Sequence, residues 1–178
     1  MDWGCLLFRH NALTLCLIAP IVVAFLPASV AQAAGAGCDG GQWPLAAIQA
    51  HFNGTLPALA SGETLPGLGA PAQVNLSPQS DVTFPHPPGR AAKANPAYGA
   101  IVKLGPQPAA TYQVTVSGGA WVDLVEGGEI VKPTGYIRRN DCPGIDKSIR
   151  FKTNGGPLTI QISGAYTPSI KLEAKRAE

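Results

Sequence analysis

Apolar and polar residues take alternate positions through much of the C-terminal half of the chain. Tyr112, Val114 and Val116 are interleaved with Thr111, Gln113, Thr115 and Ser117, and Leu158, Ile160 and Ile162 with Thr159, Gln161 and Ser163. Ile149 and Phe151 flank Arg150, while Lys171 and Glu173 separate Ile170, Leu172 and Ala174. A period of two places the apolar side chains of each stretch on one face of a β-strand. The pattern predicts strands over residues 111–117, 120–126, 148–153, 158–163 and 169–174, with another over 98–104. Gly118-Gly119, Gly127-Gly128, Asn154-Gly155-Gly156 and Gly164 punctuate them, and such residues supply the positive φ angles of tight hairpins. One-faced strands with no helix-length run between them bury their apolar sides by stacking two sheets. The predicted fold is all-β: an antiparallel, jelly-roll-like β-sandwich with one short N-terminal helix.

The N-terminal half carries different signals. Arg9 and His10 precede an apolar run over residues 12–26, which leads to Ala31-Gln32-Ala33. That run is shorter than the roughly 20 residues a membrane-spanning helix needs, and the small residues form an A-x-A cleavage pattern. Residues 1–33 are therefore expected to be a secretory signal peptide. The mature protein would be periplasmic or secreted, with no membrane span after cleavage. Cys5 and Cys16 leave with the leader, and Cys38 and Cys142 remain to pair with each other in an oxidising compartment. Lipidation of Cys38 is the alternative; Gly35, three positions before it, stands where a lipobox usually has Leu.

Residues 34–96 read as a Pro- and Gly-rich segment that belongs to one domain with a β-core over 97–178. Its one helix is expected over residues 43–52, with Pro44 in the first turn, where a missing N–H costs nothing. Leu45, Ile48 and Phe52 share a face and would cap one end of the sandwich. Residues 72–76 and 81–84 are expected to be edge strands joined by a turn at Ser77-Pro78-Gln79-Ser80. Phe84-Pro85-His86-Pro87-Pro88-Gly89-Arg90 reads as an extended polyproline-like connector. Asn53-Gly54-Thr55 and Asn75-Leu76-Ser77 match the N-glycosylation sequon, relevant only in a eukaryotic secretory pathway.

Charge changes the picture little. Thirteen Lys and Arg against eleven Asp and Glu give a net charge of +2, without the clustered basic stripe of a nucleic-acid binder. Gly35-Ala36-Gly37-Cys38-Asp39-Gly40 spells G-x-G-x-x-G, but it follows a cleavage site rather than a strand, so no dinucleotide is implied. No cofactor is expected. Neither His51 nor His86 accompanies a G-x-S-x-G or H-E-x-x-H motif, and the chain is expected not to be an enzyme. A metal site at His86 with Asp81 would lack further ligands.

Two groups are candidates for ligand binding. Trp121 and Asp123 share one face of their strand, and an aromatic ring beside a carboxylate is a unit of sugar recognition. The structural alternative is a Trp121 that points inward or covers a strand edge, with Asp123 paired to Arg150 across the sheet. Tyr136-Ile137-Arg138-Arg139-Asn140-Asp141-Cys142 is the densest polar cluster, and Tyr136, Arg138 and Arg139 are candidates for a partner-facing loop.

Tyr112-Gln113-Val114-Thr115-Val116, Trp121-Val122-Asp123-Leu124 and Gly156-Pro157-Leu158-Thr159-Ile160-Gln161-Ile162 resemble the pre-peptidase C-terminal family of exported bacterial β-sandwich modules. The resemblance implies a non-catalytic accessory or binding role and transfers no site residue. The functional expectation is an exported binding or accessory domain that engages an envelope protein through its loops. A carbohydrate-binding module using Trp121 and Asp123 is the alternative, and a periplasmic metal-binding protein a second one.

Overall fold

In the computed structural model, which describes residues 37–177, the alternating segments form two stacked sheets. Seven elements precede Trp121 among the described residues. They are α1 (Ala46–Phe52), β1 (Ala58–Leu59), β2 (Ala72–Asn75), β3 (Ser77–Pro78), a 3-10 turn (Gln79–Asp81), β4 (Tyr98–Gln107) and β5 (Thr111–Val116). There follow β6 (Trp121–Glu126), β7 (Glu129–Val131), β8 (Pro133–Arg138), β9 (Lys147–Lys152), β10 (Gly156–Ala165) and β11 (Ser169–Arg176). The first sheet runs β1-β2-β11-β5-β9-β8 and the second β3-β4-β10-β6-β7. Among the described residues the named strands pair antiparallel, except β1 with β2, and an isolated parallel bridge joins Thr64 to Lys103.

This order is a jelly roll. Strands β2-β11-β5-β9 of one sheet face β4-β10-β6-β7 of the other, the interleaving that two nested Greek keys produce. Strands β1, β3 and β8 extend its edges. The proposed signal peptide lies outside the described residues; the expected disulfide is present, joining Cys38 to Cys142, so both sulfurs are committed to the bond.

The core is built from the apolar faces read in the sequence. Tyr112, Val114 and Val116 of β5, Ile149 and Phe151 of β9, and Leu172 and Ala174 of β11 meet Val102 of β4, Val122 and Leu124 of β6, and Ile160 and Ile162 of β10. Removal of this apolar area from water is the main driving force for the fold.

The polar faces differ from expectation. Gln113, Thr115, Ser148 and Glu173 on the outer side of the first sheet are buried, as are Asp123, Gln161 and Ser163 on the outer side of the second. Each outer face is covered by a piece of the N-terminal half. Helix α1 and the residues before it lie over the first sheet rather than capping an end of the sandwich. Leu45, Ile48, Phe52, Cys38, Cys142 and Ile145 form a second apolar cluster there. Trp43 stacks on the Arg150 guanidinium 4.3 Å from its ring centroid. His51 Nδ1 lies 2.8 Å from Glu173 Oε2, and Lys171 Nζ donates to the Phe52 carbonyl. Thr115 and Ser148 share a hydroxyl hydrogen bond of 2.8 Å beneath this layer.

Several boundaries also move. The helix begins at Ala46, so Pro44 precedes it. Residues 81–84 are not a strand, and Ser77-Pro78, expected as a turn, is a short strand paired with β4. Gly118-Gly119 carries the chain from one sheet to the other, and Asn154-Gly155-Gly156 does the same between β9 and β10. Only Gly127-Gly128, with φ of 60° and 88°, closes a tight hairpin, joining β6 to β7, because two consecutive positive φ values match the strand twist. Gly164 (φ 61°) lies within β10, where the register with β4 shifts.

Candidate functional site

Trp121 opens β6 with its indole on the outer side of the second sheet, half-buried. Its Nε1 donates to Asp123 Oδ1 at 2.8 Å, and Asp123 Oδ2 accepts from the Gly89 amide at 2.9 Å. A Cβ on Gly89 would stand 2.8 Å from Asp123 Oδ1 and 3.1 Å from Trp121 Nε1, so a residue without a side chain is required for so close an approach. The carboxylate is thus engaged on both oxygens within the protein, and its partners are Trp121 and Gly89, not Arg150. Arg150 instead hydrogen-bonds Gln113 and lies against Trp43.

Asp123 is the anchor of the Pro-rich connector, which forms a strap over the second sheet. The His86 amide donates to Gln161 Oε1 at 3.0 Å, Phe84 packs at Gly99, and Ala92 at Gly164. Arg90 follows Gly89 and holds its guanidinium 5.5 Å from the Trp121 ring centroid. Gln161 Nε2 and Ser163 Oγ, on the same outer face, are buried without hydrogen-bond partners among the described residues.

At the end of the strap the surface opens into a cleft of about 240 Å³. Arg90 and Lys93 line it from the strap, Trp121 from β6, Arg138 from β8 and Tyr166 from the turn between β10 and β11. Tyr166 is 63% exposed, and its ring edge lies by Gly119, where a Cβ would come within 3.3 Å of Cδ2. Two sheets, the strap and one turn therefore converge here.

The charges around the cleft are mostly positive. Arg138 Nη2 meets Asp146 Oδ2 at 3.3 Å and remains more than half exposed. Lys147 Nζ donates to the Ala120 carbonyl. Burial pushes the Lys147 pKa down; Asp146 opposes this, while Arg138 and Arg90 add to the lowering. Among the described residues, Arg90 and Lys93 have no carboxylate within 4.0 Å.

The other candidates lie elsewhere. Arg138 belongs to β8, not to a loop, and it is the one member of the polar cluster that lines the cleft. Tyr136, 72% exposed, projects from the same edge strand. Arg139 is a clamp: Nε and Nη2 donate to Asp141 at 2.8 and 3.1 Å, and Nη1 and Nη2 reach the carbonyls of Gly40 and Gly37. The same contact holds the Asp141 carboxyl below its ordinary pKa and raises that of Arg139. His86 Nδ1 contacts the Pro87 carbonyl, and among the described residues no three His, Cys, Asp or Glu side chains gather as a metal site would need.

Sequence reasoning missed Arg90, Lys93 and Tyr166. The available signal was a pair of cations at the end of a proline run, and an aromatic residue in a turn after Gly164. The fold and site together define a jelly-roll sandwich with an aromatic and cationic cleft at one end. Comparison of the chain with family models, with curated proteins and with solved structures finds no match.

Proposed function

We propose that this chain is a non-catalytic, exported binding module that holds a saccharide unit in the cleft between the strap and the end of the sandwich. The observation that carries this reading is the pairing of the exposed Tyr166 ring with the fixed indole of Trp121 in one cleft. Aromatic faces cover the C–H surfaces of a sugar ring, and neighbouring donors bond its hydroxyls. Asp123 and Gly89 hold Trp121 in place, so little side-chain freedom is lost on binding there. The lining offers donors and rings, and its chemistry suits recognition more than bond cleavage. The jelly roll is a fold that lectin domains also use, which is an analogy of architecture alone. Export is supported by the leader-like residues 1–33 and by the Cys38–Cys142 bond. The resemblance to pre-peptidase C-terminal modules points to the same non-catalytic role.

Retention of the full chain on a glycan array, lost in Tyr166→Ala at unchanged thermal stability, is the expected result. Tyr166 is chosen because Trp121 also anchors the strap. An array on which the native chain retains no glycan refutes the reading. Docking of an envelope protein is the second reading, favoured by the exposed Tyr136 on the edge strand β8, since an edge strand offers unpaired backbone groups to a partner.

A further inference from the structure

We propose that the cleft selects an acidic sugar residue, with the anion held by Arg90, Lys93 and Arg138 and the ring laid on Tyr166. This rests on the saccharide reading above and adds the class of sugar. Three cationic residues line a cleft of about 240 Å³ to which, among the described residues, no carboxylate contributes. The nearby acids are already occupied: Asp123 by Trp121 and Gly89, and Asp146 by Arg138 with Lys147 at 3.9 Å. A neutral sugar would leave this positive field uncompensated, whereas an anion satisfies it and gains charge-assisted hydrogen bonds.

Two of the cations, Arg90 and Arg138, are held in advance of any ligand. Trp121 steadies Arg90 from below, since a guanidinium near an indole face is attracted by the ring quadrupole. Asp123 fixes both the indole and the Gly89 amide next to Arg90. Asp146 takes one contact from Arg138, and among the described residues the rest of the arginine's donor fork has no partner. Ligand pockets that enclose a whole drug-sized molecule run to about 300–1,000 Å³. This open cleft is smaller, so it fits one residue of a chain that continues outward past Tyr166.

The test titrates the full chain, with its disulfide intact, with trigalacturonate, its methyl ester and a sulfated galactose trisaccharide. Binding of an acidic form with at least tenfold loss on esterification supports the proposal; a preference between carboxylate and sulfate identifies the anion. Arg90→Gln/Arg138→Gln should weaken the acidic ligand at least tenfold and the ester much less, so that the acid's advantage over the ester is lost; an advantage that survives the double substitution overturns the anion assignment. Exposed charges are screened beyond about 10 Å at 0.1 M salt, so the acid's advantage should shrink as salt rises. Equal affinity for acid and ester, both lost in Tyr166→Ala, overturns the anion assignment and leaves the saccharide reading intact. Binding of none of the three probes, with none retained on a broad array, removes both. Displacement of trigalacturonate by hexaglutamate at equal concentration overturns the sugar in favour of an acidic peptide.

Discussion

Replacing Cys38 and Cys142 together by Ala tests how the N-terminal arm is held. The bond joins residues 104 apart in sequence, and a loop of that size contributes about 4.7 kcal/mol in the chain-entropy model of cross-linking. Domains are commonly stable by only about 5–15 kcal/mol, so the loss is a large share of the total. Without the bond the arm retains the Arg139 contacts to Gly37 and Gly40 and the packing of Leu45, Ile48 and Phe52. The expected outcome is therefore a folded protein with a lower urea midpoint, not an unfolded one. Equilibrium urea unfolding of the oxidised chain and the double variant measures the difference. Hydrogen exchange at the α1 amides then locates it, because an arm that is no longer tethered opens more often than the sheets do. A loss below about 1 kcal/mol, with α1 amides as protected as before, would show that packing and Arg139 hold the arm unaided.

Two further predictions concern the same face and its edge. His51→Ala should cost about 1–3 kcal/mol, the price of leaving the buried Glu173 carboxylate without its partner; most should return in His51→Ala/Glu173→Gln, and equal midpoints for the single and double variants would refute the pairing. Asp141, held below its ordinary value of 3.8 by Arg139, adds stability that is present above that value and is lost as pH falls through the folded-state pKa. Urea midpoints of the native chain and Asp141→Asn should therefore differ at pH 6 and converge near pH 2, and a gap that does not narrow with acid would count against the contact.

The two-sheet core was legible because its strands follow a period of two, and Val114, Ile149, Ile160 and Leu172 all fall inside as that pattern requires. Strands β7 and β8 were not. Glu129, Pro133, Thr134 and Tyr136 sit at an edge with little to bury, so no apolar rhythm marks them. Nor could alternation reveal that the polar faces are covered. Gln113, Thr115 and Gln161 read as solvent-facing because the segments that hide them are distant in sequence: the strap's His86 reaches Gln161 across 75 residues, and the arm's Phe52 meets Lys171 across 119. The candidate site shows the same division. Trp121 stood out by residue type, and Arg138 by local charge. Arg90, Lys93 and Tyr166 join them only because the strap and a turn meet at one end of the sandwich, a fact of topology that no local pattern carries. Arg139, adjacent to Arg138, faces the arm instead, since neighbouring residues at a strand end project to opposite sides.

Both β10 and β11 are inserted between strands made earlier, β10 between β4 and β6 and β11 between β2 and β5. A chain emerging from its N-terminal end therefore leaves a vacant slot in each sheet until β10 and β11 arrive, with four strand edges open to stray pairing. Neither sheet can close before these two strands are made, and a chain that lacked them would leave a receptive groove for a strand from another molecule.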